Sequence, residues 1–98
     1  MRNLTEANLT DAVLARVEGC TDPRTKQILE SVIRHVHAVV REVELTPTEW
    51  LAAIQFLTAT GQKCDENRQE FILLSDTLGI SMLVDAINNR MTAGGTES

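Results

Sequence analysis

The sequence predicts an all-α protein, a small bundle of about five helices with one long central helix. Three observations carry this. Apolar residues recur at spacings of three and four, Asp-Pro and Thr-Pro pairs stand where segments begin, and glycines stand where they end. The valine-rich stretch from Val32 to Val43 could suggest a strand, but its period is helical and charged residues interleave it.

The elements follow in order. Thr10-Asp11 opens a short amphipathic segment carrying Val13, Leu14 and Val17, which Gly19 closes. Asp22-Pro23 pairs an N-cap with proline at the first helical position. From there Ile28, Leu29, Val32, Ile33, Val36, Val39, Val40 and Val43 mark a long helix to about Glu44, with a stripe wide enough to face two neighbours. Thr46-Pro47-Thr48-Glu49 reads as a capping box. The helix it starts carries Trp50, Leu51, Ile54, Phe56 and Leu57 and is expected to stop at Gly61. Asp65 or Asn67 starts a fourth helix with Phe71, Ile72, Leu74 and Leu78, ended by Gly79 as a left-handed cap. Ser81 opens the last, through Met82, Leu83, Val84 and Ile87 to about Arg90, and the small polar tail from Thr92 is expected to be extended or disordered.

Composition narrows the chemistry. With 98 residues the chain allows one domain and a limited core. Its 43% hydrophobic and 23% charged content is that of a globular protein. There is no tyrosine, which excludes a tyrosine nucleophile, general acid or metal ligand. A net charge of −5 argues against nucleic acid and anionic membrane surfaces as partners. Cys20 and Cys64 form neither a Cys-x-x-Cys pair nor a zinc pattern. With no apolar signal core at the start and no long apolar run, the expectation is a reduced, cytoplasmic protein with free thiols and no membrane insertion.

Few residues suggest catalysis or metal binding. His35 and His37 are two apart on the long helix and point about 200° apart, so they cannot chelate one metal. His35 is expected to border the apolar stripe and make a structural hydrogen bond, and His37 to face solvent. Glu66 and Glu70 fit the spacing of a solvated helical face. Ser75, Ser81 and the threonines occupy caps or surfaces without a nucleophile elbow, and no glycine-rich phosphate loop exists. Leu73 to Ser81 resembles the turn of a DNA-binding helix-turn-helix, which makes a DNA-binding regulator one alternative function. Its second helix, however, would offer Met82, Leu83, Val84 and Asp85 to the groove, where polar or basic side chains are needed.

The long apolar stripe is the stronger signal. It runs roughly 23 Å from Ile28 to Val43, more than four short helices obviously cover. Ile28, Val32, Val36, Val39, Leu51, Ile54 and Leu57 are therefore the candidate residues for an apolar-ligand channel and a dimer contact. A stand-alone carrier of small apolar ligands is the other alternative.

Three stretches carry a family resemblance. Arg34-His35-Val36-His37 with Arg41 to Thr46 and Glu49-Trp50, Phe56 to Gln62 followed by Arg68 to Gly79, and Ser81 to Asn88 resemble the amino-terminal region of intradiol ring-cleavage dioxygenases. The pattern is nearest to the hydroxyquinol-cleaving members, with the catechol and chlorocatechol 1,2-dioxygenases next, and it covers roughly residues 10–98. The resemblance implies that residues 1–91 are a helical dimerisation and linker domain, and that 92–98 begin a linker to a catalytic β-sandwich absent from this chain. It implies a homodimer formed by a helical zipper, with an apolar tunnel for a phospholipid or fatty-acyl chain. It also implies a parent enzyme that opens aromatic rings with dioxygen and ferric iron, held on two tyrosines and two histidines of the sandwich. This chain would then hold no cofactor, carry no catalytic residue and bind no nucleic acid.

Overall fold

A computed structural model describes residues 4–92, and five α-helices account for most of them. They are α1 (Leu9–Arg16), α2 (Pro23–Val43), α3 (Pro47–Gln62), α4 (Glu70–Thr77) and α5 (Ile80–Thr92), with a single 3-10 turn at Val17–Gly19. No strand is present among the described residues. The expected tail at 93–98 lies outside them. The chain divides into two compact units, one ending at Thr46 and the other beginning at Pro47.

In the first unit, α2 starts where the Asp-Pro pair predicts. Asp22 is extended (φ −91°, ψ 112°), and its carboxylate accepts from the Thr25 backbone N–H at 3.1 Å and from the Thr25 hydroxyl. The hydroxyl bond first, and the backbone bond after it, hold the Asp22 carboxyl below its ordinary range. One turn on, Lys26 meets Glu18 of the 3-10 turn at 3.1 Å, and that bond raises the Lys26 ammonium above its ordinary range. The far end of α2 closes on Glu44 in the left-handed region (φ 52°, ψ 56°), with the Leu45 N–H bonded to the Val40 carbonyl at 3.2 Å. A side-chain-bearing residue there costs about 1 kcal/mol, and no glycine marked the turn in the sequence.

Helix α1 lies on one face of α2. On α2 the half-buried positions are Lys26, Glu30, Ile33 and His37, three or four apart; on α1 they include Ala12, Val13 and Leu14. His37 does not face solvent as expected. Its Nδ1 lies 2.7 Å from the Thr10 hydroxyl of α1, because it stands on the same line of the helix as Ile33. His35 does bond within its own helix, its Nδ1 lying 2.8 Å from the Ser31 carbonyl.

In the second unit, α3 begins at Pro47 as predicted but does not stop at Gly61. The helix continues to Gln62, and Gly61 lies beside the Phe71 ring, where an added β-carbon would make contact at 3.7 Å. Helix α4 starts later than Asp65 or Asn67. Asp65 instead forms a turn, its carboxylate accepting from the Asn67 N–H at 2.8 Å and its own N–H bonding the Arg68 carbonyl at 2.9 Å. Gln69 caps α4, its side-chain oxygen accepting from the Phe71 N–H at 3.3 Å and from the Cys64 thiol at 3.4 Å. Glu66 therefore precedes the helix and shares no face with Glu70, whose carboxylate pairs with Arg68. Gly79 (φ 79°) ends α4 as expected, and the Ser75 and Ser81 hydroxyls bond at 2.6 Å across the α4–α5 corner.

Candidate functional site

Helix geometry sorts α2 into two flanks. At 100° per residue the Lys26, Glu30, Ile33 and His37 line is turned roughly 130° from the line of Ile28, Val32, Val36, Val39 and Val43. The first line receives α1. On the second, Ile28, Val32, Val36 and Val39 keep 46%, 51%, 52% and 56% of their surface exposed. One short helix of eight residues covers one flank only, so the stripe is wider than its neighbour in this unit. The structure thus aligns four of the seven sequence-predicted residues on one continuous apolar face. The other three, Leu51, Ile54 and Leu57, lie within one arc of α3 in the second unit and are also exposed.

Sequence reasoning missed a polar junction at the α1–α2 contact. The Arg41 guanidinium donates to the Thr10 hydroxyl at 2.8 Å and to the Glu6 carbonyl at 3.1 Å, while the same hydroxyl meets His37. An open cleft beside it is lined by Glu6, Ala7, Thr10, Arg34 and Arg41. The Thr10–His37 separation is that of a nucleophile and its base, but the hydroxyl is already held by Arg41. Its evident work is to dock α1. The sequence signal was the i, i+4 pair His37 and Arg41, which has no meaning until Thr10 is brought to it.

Other chemistry finds no footing. Among the described residues no three His, Cys, Asp or Glu side chains converge where they could hold a metal ion, and Cys20 and Cys64 are free thiols. No helix among the described residues is long and apolar enough to cross a membrane. At the α4–α5 corner, Met82 is 71% exposed beside Leu83 and Val84, an apolar start to α5 that offers no hydrogen bonds to base edges.

The described residues thus form a helical domain that leaves an apolar stripe exposed along α2. Comparison with known proteins gives it a family. The profile described as catechol dioxygenase N terminus matches residues 22–96, and the chain belongs to that family. It is 54% identical over 97 residues to a 6-chlorohydroxyquinol 1,2-dioxygenase of Cupriavidus pinatubonensis, covering 99% of this chain and 35% of the relative. It is 53% identical over 93 residues to a hydroxyquinol 1,2-dioxygenase of a Rhizobium species, covering 95% and 32%. The crystal structure of hydroxyquinol 1,2-dioxygenase from Pseudomonas putida DLL-E4 superposes with a TM-score of 0.83 at 62% identity, over 87% of this chain and 30% of that one. The chain thus spans about a third of the length of the relatives it matches.

Proposed function

We propose that this chain is the amino-terminal assembly domain of an intradiol dioxygenase that opens hydroxyquinol-type rings. Its α2 flank pairs two copies, and an apolar chain, phospholipid or fatty-acyl, lodges against the exposed stripes. Ring cleavage and its ferric iron belong to sequence outside these residues. The observation that carries the reading is the flank of Ile28, Val32, Val36 and Val39, half-exposed within a unit whose other helix is already used. The relatives' names support the substrate class, and the absence of tyrosine supports a non-catalytic role for these residues.

The flank's exposure separates assembly from folding. Because Val36 is half-exposed in its own unit, Val36→Asp should leave the helix content nearly intact while shifting sedimentation from dimer to monomer. An unchanged dimer mass would remove Val36 from the contact. Native mass spectrometry of the wild-type chain should find dimers with a co-purified lipid. Dimers without lipid would strike the ligand from the reading and keep the assembly.

A further inference from the structure

Resting on the ring-opening chemistry proposed for the parent enzyme, we infer that the cleft beside the α1–α2 contact binds a small dicarboxylate, the class of product that chemistry yields. Cleavage between two hydroxyl-bearing ring carbons, with both atoms of dioxygen retained, turns each of those carbons into a carboxylate. The product is a short dianion. Both cations of the cleft come from α2, where Arg34 and Arg41 stand two turns apart and within about 20° of one another around the helix. That places them on the side of α2 opposite the stripe of Ile28, Val32, Val36, Val39 and Val43, so the cleft stays open when the stripe is covered.

The two guanidinium groups are prepared differently. Arg41 is held by its Nη2, which donates to the Glu6 carbonyl at 3.1 Å and to the Thr10 hydroxyl at 2.8 Å. Its Nε and Nη1 protons are left over. Arg34 makes no hydrogen bond or ion pair among the described residues, so its whole fork is available to a carboxylate. The two positions are about 10 Å apart along the helix axis, which suits one carboxylate at each end of a short chain. Arg34 takes the first bidentately, and the fixed Arg41 takes the second. Glu6 also lines the cleft, but its carboxylate pairs with neither arginine, so it opposes an anion without neutralising the site. Glu30, one turn before Arg34, makes no ion pair with it either and acts on Lys26. Ligand size follows from charge. A net charge of −5 repels a large acidic partner, whereas a small dianion senses chiefly the charges within about 8 Å at physiological salt. The cleft, about 640 Å³, has room for it.

Calorimetric titration of the 98-residue chain with cis,cis-hexa-2,4-dienedioate reads the site. This dianion should bind about tenfold more tightly than acetate or inorganic phosphate. Arg34→Gln should weaken it about tenfold, and Glu6→Gln should tighten it about threefold. Neither side chain carries the α1–α2 contact, because Arg41 bonds the backbone carbonyl of Glu6, so circular dichroism should be unchanged in both variants. Acetate or phosphate binding as tightly would overturn the dicarboxylate, and full affinity in Arg34→Gln would overturn the site. Both results leave ring cleavage by the parent untouched. A polypeptide that continues this chain to a relative's full length and opens no ring would instead remove the reading from which the product class is drawn.

Discussion

Gly79 and Gly61 should respond in opposite directions to the same substitution, because only one needs a backbone that other residues avoid. Gly79 sits at φ 79° with open space where a β-carbon would go, so Gly79→Ala carries a pure backbone cost of about 1 kcal/mol. Gly61 is in the last turn of α3, and its β-carbon would touch Phe71 at ordinary contact distance. Gly61→Ala should be neutral or stabilise by about 0.5 kcal/mol, and chemical denaturation of both variants checks the pair. The ionisable pair at the start of α2 gives a second prediction. The Asp22 carboxyl is held low, so its contribution is complete at neutral pH and fades only as pH falls through that lowered value. The Lys26 ammonium is held high by Glu18, so its contribution is complete below the ordinary lysine range and is lost as pH rises through the raised value. Thermal unfolding against pH should show Asp22→Asn flattening the acid limb and Glu18→Gln the alkaline limb, with neither changing the slope near neutrality.

At the scale of elements, the docking of α1 on α2 rests on few groups. Half-buried Val13, Leu14 and Ile33 supply the apolar part, and Thr10 joins His37 and Arg41 at once. Thr10→Val keeps the shape and leaves both partners without the hydroxyl, which should cost about 1 kcal/mol because water can reach the site. Hydrogen exchange should report faster opening of α1 while α4 and α5, in the other unit, are unaffected. The start of α4 teaches a complementary lesson. Asp65 and Asn67 are better cap residues than Gln69 in any survey of sequences, yet Asp65 is occupied in its own turn with Asn67, so the helix waits for Gln69. A local competition between two hydrogen-bonding uses of one carboxylate decides the boundary, and composition cannot rank them.

At the scale of the molecule, an accessory role makes a direct prediction about activity. The 98-residue chain should consume no dioxygen with hydroxyquinol and should keep its helix content when treated with an iron chelator. A polypeptide that continues it with the remaining two thirds of a relative's length should cleave the ring and lose that activity on chelation. Oxygen uptake by the isolated chain would end the accessory reading.

Much of this protein was legible in order along the chain. Helical class, the starts at Pro23 and Pro47 and the turn at Gly79 follow from local rules, since proline geometry, caps and a left-handed glycine act within one turn of the backbone. Family membership was legible too, because long specific stretches carry it. Which flank of α2 receives α1, the turn of His37 toward Thr10 and the delayed start of α4 were decided only by tertiary structure. A stripe of valines looks the same from every side in sequence, and only the placement of a second helix divides it into a covered face and a free one.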